Sequence, residues 1–588
     1  MLTTRGFWFF VPTIALLAAA ILLGATSLTL ICVTLLLWFL AQWLLFHVRV
    51  RLTINQLSVE RTLRTARGDV DSVWARQKVE VIVALINKAG IRLPYVVMTD
   101  RLPALARLRE GAFCVDGPLA KETPLHLTYA IECPAPGWLR FEGVKVQVAD
   151  LQGFFTHATF VHDPRVHRVL PALVVATSHT SFVKAHNVLP LLGTHRHARP
   201  GGASELLDLR DYLPGDPPKM IAWKVSARRD RLITREFESE VPIRCTLFLD
   251  TSNSVRVGPV GETALCRLVE IAAGIAQANA SERDLTGLCL FDEAGIRKLE
   301  KPGRGPKHVM RMYGILTDIA GLIPHTPCAT VRSLLPVAYG LVQEIYPQWL
   351  ERDVNRFPLW LPFWSPQPNS TIPPGSPRDG TRFSPAYHRE YRWRKELAAI
   401  LSVHYRLGPG GRALLLEDDE RCVHFLQRFL AEHQVSFPFS LYDDYGRYLF
   451  AAPEKAKVLA DALLKAVTRG KDNELFVLCI DLLEMTEQLP ALERAVCVAR
   501  ARYHQVMVVC PWPAGLDAPG SKPQAESAFD VQRVLQQLCM TQLHQEFAKV
   551  QRAFGRIGVP VICAAQGDTV DWILHRMRRL RVQERGVR

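Results

Sequence analysis

Residues 6–48 contain no Asp, Glu, Lys or Arg. Nothing else in the chain restricts its fold so strongly. As one helix this stretch would be about 65 Å long, roughly twice the hydrocarbon core of a bilayer. Gly-Ala-Thr-Ser at 24–27 interrupts it near its middle. The pattern predicts a transmembrane hairpin within residues 1–49, with spans over about 7–24 and 28–46. Trp8, Trp38 and Trp43 fall towards the span ends, where indole rings favour the interface. Arg5 precedes the hairpin, Arg49 and Arg51 follow it, and the linker between the spans is uncharged. The positive-inside rule then puts both ends in the cytoplasm. A cleaved signal peptide would lead into a polar mature segment, whereas here a second apolar span follows. The expected location is the inner (cytoplasmic) membrane, with the soluble domains facing the cytoplasm.

The rest of the 588 residues suffices for several domains, and a hydrophobic content of 48% allows a large core. The net charge of +14 suits a surface beside an anionic membrane, and no nucleic acid is expected as a partner. None of the 13 cysteines forms a CxxC pair. Cys245, Cys289, Cys479, Cys510 and Cys563 lie inside apolar runs and read as small buried hydrophobes in a reducing compartment.

Residues 50–190 alternate or run β-branched, as in Lys-Val-Glu-Val-Ile-Val-Ala-Leu-Ile-Asn (78–87), with turn signals between the runs. They predict an antiparallel β-sandwich. A linker and a motif-bearing segment occupy 191–242, where His195 and His197 read as solvated loop residues. From 243 to 588 short apolar strands alternate with helices, which means βαβ units and a mainly parallel sheet. The alternation is interrupted at about 323–452 by an insertion rich in Pro and Trp, ending in a hairpin-like Asp-Tyr-Gly segment. Trp349, Trp360 and Trp364 make a candidate contact patch there.

Asp250-Thr251-Ser252-Asn253-Ser254 ends the first strand of this alternation, and Asp481 ends a later one. Ligands of open α/β sheets sit beyond the carboxyl ends of the strands. A hard cation such as Mg²⁺ takes oxygen ligands, and two hydroxyls two residues apart beside a carboxylate supply them. The candidate metal ligands are therefore Asp250, Ser252, Ser254 and Asp481. The alternative is that Asp250, Ser252 and Ser254 cap the following turn and helix through hydrogen bonds. No P-loop, HExxH or GxSxG motif is present.

The turn resembles the metal-ion-dependent adhesion site of von Willebrand factor A domains. Those domains add a Thr from an intervening loop, whereas the corresponding region, 300–308, offers Gly and Lys and no Thr. Upstream, Arg210, Tyr212, Pro214, Gly215, Asp216, Lys219, Ile221, Trp223, Lys224, Ala227 and Arg228 resemble the signature of domain-of-unknown-function family 58 (DUF 58). The family's usual acidic residues are replaced by Pro217 and Ala222. With Asp-Leu-Gln-Gly-Phe-Phe at 150–155 and a basic C-terminal helix, the resemblance covers most of the chain. It implies an α/β Rossmann-like von Willebrand factor A-like domain behind a two-helix transmembrane hairpin and an antiparallel β-sandwich. It also implies a partner, a MoxR-type AAA+ ATPase, so the expected role is a membrane-anchored adaptor that binds through the metal-ion-dependent adhesion-like site. With no nucleophile-base constellation in the sequence, an enzyme is not expected. The rivals are a metal-independent scaffold of a cell-envelope complex and a metal-dependent hydrolase using Asp250 and Asp481. The signature segment itself reads either as a clasp, with Trp223 packed inward, or as a docking surface.

Overall fold

The computed structural model describes residues 2–65, 68–69, 72–121, 123–172, 196–240, 244–256, 258, 261–323, 329–347, 349–350, 385–408, 410–435, 437, 454–470, 474–482, 489–512 and 531–564. Trp360, Trp364, the hairpin-like segment before 453 and the basic C-terminal helix lie outside these residues. The chain forms two compact units, Met1–Val169 with Gly321–Leu449, and Leu170–Ala320 with Phe450–Arg588.

The first unit opens with two helices, Thr4–Leu22 and Thr26–Thr53, both long and apolar enough to cross a membrane. Gly24, at φ +65°, makes the turn between them in the left-handed region where a Cβ is disfavoured. The second helix continues past the expected span end at 46. Within the expected span the same helix lies against the Asp150–Phe155 loop, where Phe155 meets Phe39 at 5.0 Å and Phe46 at 6.1 Å between ring centroids. Phe154 stacks on Phe9, and its carbonyl accepts a hydrogen bond from the Thr3 amide at 2.8 Å.

Ten strands follow: β1 (Leu57–Thr65), β2 (Gly68–Asp69), β3 (Ser72–Trp74), β4 (Lys78–Asn87), β5 (Leu93–Asp100), β6 (Arg107–Gly111), β7 (Cys114–Leu119), β8 (Leu125–Glu132), β9 (Gly137–Ala149) and β10 (Thr156–Leu170). They make two five-stranded sheets, ordered β2-β1-β4-β8-β6 and β3-β10-β9-β5-β7. Buried and exposed residues alternate along β1 and β4, as a strand with one face on a core requires. A buried ion pair links the sheets, Arg61 Nη2 to Asp100 Oδ1 at 2.5 Å, and the Tyr129 hydroxyl donates to the same carboxylate at 2.6 Å.

The segment 321–449 belongs to this first unit, although it interrupts the second. Its helices Val331–Ile345, Pro385–His404, Gly411–Glu417 and Asp419–Glu432 share an apolar core with Phe160 of β10. Trp349 stacks on Tyr346 inside this unit, 4.4 Å between centroids, so it is not a free element of a contact patch.

In the second unit an antiparallel ribbon, β11 (Arg196–Asp211) with β12 (Ile233–Glu240), precedes a six-stranded sheet. His197 therefore lies on a strand opposite Ser239 and not in the expected loop, while His195 falls outside the described residues. The sheet contains β13 (Arg244–Asp250), β14 (Leu285–Phe291), β15 (Ile296–Gly303), β16 (Glu474–Cys479), β17 (Gln505–Pro511) and β18 (Val561–Ala564), in the order β15-β14-β13-β16-β17-β18. All pairings are parallel except that of the edge strand β15. β13, β14, β16 and β17 are buried almost end to end, the mark of a parallel sheet covered on both faces. The order of connection reverses between β13 and β16. Crevices at such switch points lie beyond the strand carboxyl ends, which is where Asp250 and Asp481 fall.

Candidate functional site

The strand β13 delivers Asp250 to the carboxyl edge of the sheet with no solvent exposure. Its Oδ1 accepts the Ser252 amide at 3.0 Å, closing a tight turn, and its Oδ2 accepts the Asp481 amide at 3.3 Å. Ser252 Oγ and Ser254 Oγ lie 3.0 Å apart. The four residues expected from the sequence therefore converge. The helix that follows is capped by another residue, Thr263, whose Oγ accepts the Cys266 amide at 3.3 Å.

A fifth residue, not anticipated from the sequence, completes the site. Lys455, in the first turn of helix Glu454–Arg469, forms an ion pair through Nζ with Asp250 Oδ2 and donates to Ser254 Oγ at 3.2 Å. Its side chain is 1% exposed. Burial alone would push the Lys455 pKa down, but the carboxylates of Asp250, Asp481 and Glu293 outweigh it and hold the pKa above the usual lysine value. The surroundings are also tied down. The Asn253 amide donates to Glu293 Oε1 at 2.9 Å. Thr251 Oγ1 donates to the Phe291 carbonyl at 2.9 Å. Arg256 donates to the Thr251 and Ile319 carbonyls, and burial lowers its pKa to about 10.

The donor set as it stands does not fit Mg²⁺. An ion at 2.0–2.1 Å needs oxygens turned towards it. Asp250 Oδ2 and Ser254 Oγ face the Lys455 ammonium instead, and Asp250 Oδ1 accepts a backbone amide. Among the described residues no group of three His, Cys, Asp or Glu side chains is placed to share a metal.

The motif at 209–235 is a second, separate feature. Leu213-Pro214-Gly215-Asp216 is a β-turn closed by the Asp216 amide on the Leu213 carbonyl at 3.0 Å, with Gly215 at φ +111° as a type II turn requires. Asp216 holds it from inside, accepting the Leu213 amide (3.1 Å), Arg210 Nη2 (2.8 Å) and Thr234 Oγ1 (3.1 Å). These bonds, the Leu213 amide first, pull its pKa below the usual aspartate range. Tyr212 is bonded through its amide to the Leu232 carbonyl. Trp223 corrects an expectation. It does not pack inward: it is 60% exposed at the start of helix Trp223–Arg229, where Ala222 and Ser226 take the buried positions instead. Leu213 and Leu232 are exposed too, as are Lys224 and Arg228.

The family model described as "Protein of unknown function DUF58" matches residues 208–347. The match starts within β11 and takes in the motif, β13 and the Asp250 turn. The chain is also similar to "Uncharacterized protein YeaD" of Bacillus subtilis (strain 168), at 25% identity over 260 residues. That alignment covers 42% of this chain and 60% of the relative, so the chain spans less than two thirds of the relative's length. Among solved structures, a GH20 exo-β-N-acetylglucosaminidase from Vibrio harveyi with bound N-acetylglucosamine overlaps 77% of this chain and 82% of its own, at 9% identity and a TM-score of 0.13. An inactive mutant of the same enzyme gives 10% identity and a TM-score of 0.12. At those scores neither bears on the fold or the chemistry.

Proposed function

We propose that this chain is a membrane-anchored adaptor for protein interaction. In this reading its second unit is a von Willebrand factor A-like domain, and its partner is a MoxR-type AAA+ ATPase on the cytoplasmic side. The observation that carries the reading is the motif at 209–235. Asp216 directs its hydrogen bonds inside the ribbon, while Leu213, Trp223 and Leu232 stand exposed beside Lys224 and Arg228. Exposed aromatic and aliphatic side chains with a cationic rim, on a rigid support, are what a docking surface presents. The apolar hairpin supports the anchoring, and the switch point at Asp250 supports an A-like sheet. No step of this role needs catalysis.

The test is capture of the candidate ATPase by the full chain in detergent, with and without ATP. Wild type should retain it. The Trp223→Ala variant should lose it with unchanged melting, because an exposed indole contributes little to the fold. Equal retention by both would remove the motif from the interface. No retention by wild type would favour the second reading, a metal-independent scaffold of a cell-envelope complex, to which the Lys455–Asp250 pair is equally suited.

A further inference from the structure

We infer that the cation of the Asp250 turn is the chain's own: the Lys455 ammonium fills the seat that a divalent ion would take, and the turn becomes a divalent-cation site only when that ammonium is removed.

Three observations carry this. The first is shared ligands. Lys455 Nζ sits against Asp250 Oδ2 and Ser254 Oγ, and Ser254 Oγ is itself 3.0 Å from Ser252 Oγ. A metal bound there would need the same carboxylate oxygen and hydroxyl. It would also lie within a few ångströms of a positive charge out of water, where like charges repel strongly. Ammonium and ion therefore exclude each other.

The second is the placement of the lysine. A cation in the first turn of a helix opposes the helix dipole, and a lysine with 1% exposure has lost its hydration. Both effects are unfavourable, so the position is tenable only with a carboxylate held opposite. Asp250 is such a carboxylate, itself wholly buried and fixed by two backbone amides.

The third is what remains if the ammonium is taken away. Asp250, Ser252 and Ser254, with Asp481 and Glu293 near enough to act on the lysine's charge, form an oxygen-rich donor set whose three carboxylates outnumber the neighbouring Arg256 cation. Such a donor set suits a hard divalent cation. Lys455 is the cation that holds the two ligands, Asp250 Oδ2 and Ser254 Oγ, that such an ion would need.

The inference concerns the turn and not the ribbon, so it stands or fails without any partner. The experiment is a Mn²⁺ titration of the purified full chain, read by calorimetry and by melting temperature. Wild type should give no saturable heat and no upward shift. The Lys455→Ala variant should give both, because an ion that binds only the folded state stabilises it, and the Lys455→Ala, Asp250→Ala double variant should lose both. Asp250-dependent Mn²⁺ binding by wild type overturns the inference, as does a folded Lys455→Ala protein that takes no Mn²⁺. If Lys455→Ala does not fold, Lys455→Gln removes the charge at smaller loss of volume and carries the same two readouts. Asp250-dependent binding by wild type would overturn the inference whichever variant is used.

Discussion

At the carboxyl end of β13 a carboxylate and an ammonium, both shielded from water, hold each other in place. Such pairs are asymmetric in their energetics: removing one partner strands the other charge at about 3–5 kcal/mol, whereas replacing both is often neutral. Asp250→Ala should therefore destabilise the second unit by that amount, and Asp250→Asn with Lys455→Met should recover most of it. Had Asp250 only closed a turn, the loss would be about 1 kcal/mol. Denaturant midpoints of the single and double variants separate the two, and a loss of only that smaller size would refute the pairing account. Asp250, Ser252, Ser254 and Asp481 were legible in the sequence because a hydroxyl-rich turn at a strand end is a local pattern. Lys455 was not, since it lies 205 positions beyond Asp250 across an insertion. A signal did exist. Lys455, Leu459, Leu463 and Val467 recur every four residues, and the last three are core, so the lysine sits on the buried face of its helix.

Among the elements, the ribbon at 209–235 is held by one side chain more than any other. Asp216 ties its turn to Arg210 on β11 and to Thr234 on β12. Its folded pKa is depressed, so its contribution is fully present above the unfolded aspartate value and is lost as the pH falls through the folded one. Acidification below the ordinary aspartate range should loosen the turn before the six-stranded sheet melts, and Asp216→Asn should mimic this at neutral pH. Amide exchange at Leu213 and Asp216, measured against pH in wild type and variant, checks the claim. Protection that stays flat in both would show that other contacts hold the turn. A turn at Pro214-Gly215 was legible here, because Pro followed by Gly sets one locally, but the choice between type I and type II rests on the φ of Gly215 in the structure. The outward Trp223 was not: whether an indole packs depends on what lies opposite it, which the motif does not encode. The strands over 57–170 and the parallel strands of the six-stranded sheet followed from period and apolar runs, whereas β11 and β12 fall in a stretch that reads as a linker and the edge strand β15 carries too many charges to show as one. The extension of the second helix to Thr53 was less readable, because Arg49 and Arg51 end the apolar run without ending the helix.

For the whole molecule, chain continuity and compactness part company at 321–449. That segment interrupts the second unit in sequence yet packs with Phe160 of the first. A strand-and-helix rhythm reveals that an insertion exists but not which core receives its apolar faces. The anchor sets a question of the same scale, on which side of the membrane both units lie. Arg5, Arg49 and Arg51 flank an uncharged hairpin and favour the cytoplasm. Native thiols can test this, provided that reactive ones are chosen. Burial raises the pKa of Cys133 to about 12 and of Cys422 to about 11, which leaves them almost without thiolate at neutral pH. Cys114 and Cys497 are exposed and belong one to each unit. In intact cells, a membrane-impermeant maleimide should label neither until the membrane is permeabilised. It should then give signal that falls in the Cys114→Ser and Cys497→Ser variants, which assigns it to those positions. Labelling of both before permeabilisation would invert the topology. Labelling of both would exclude a cytoplasmic ATPase as the partner, and labelling of Cys114 alone would contradict the placement of both units on one side of a two-span anchor.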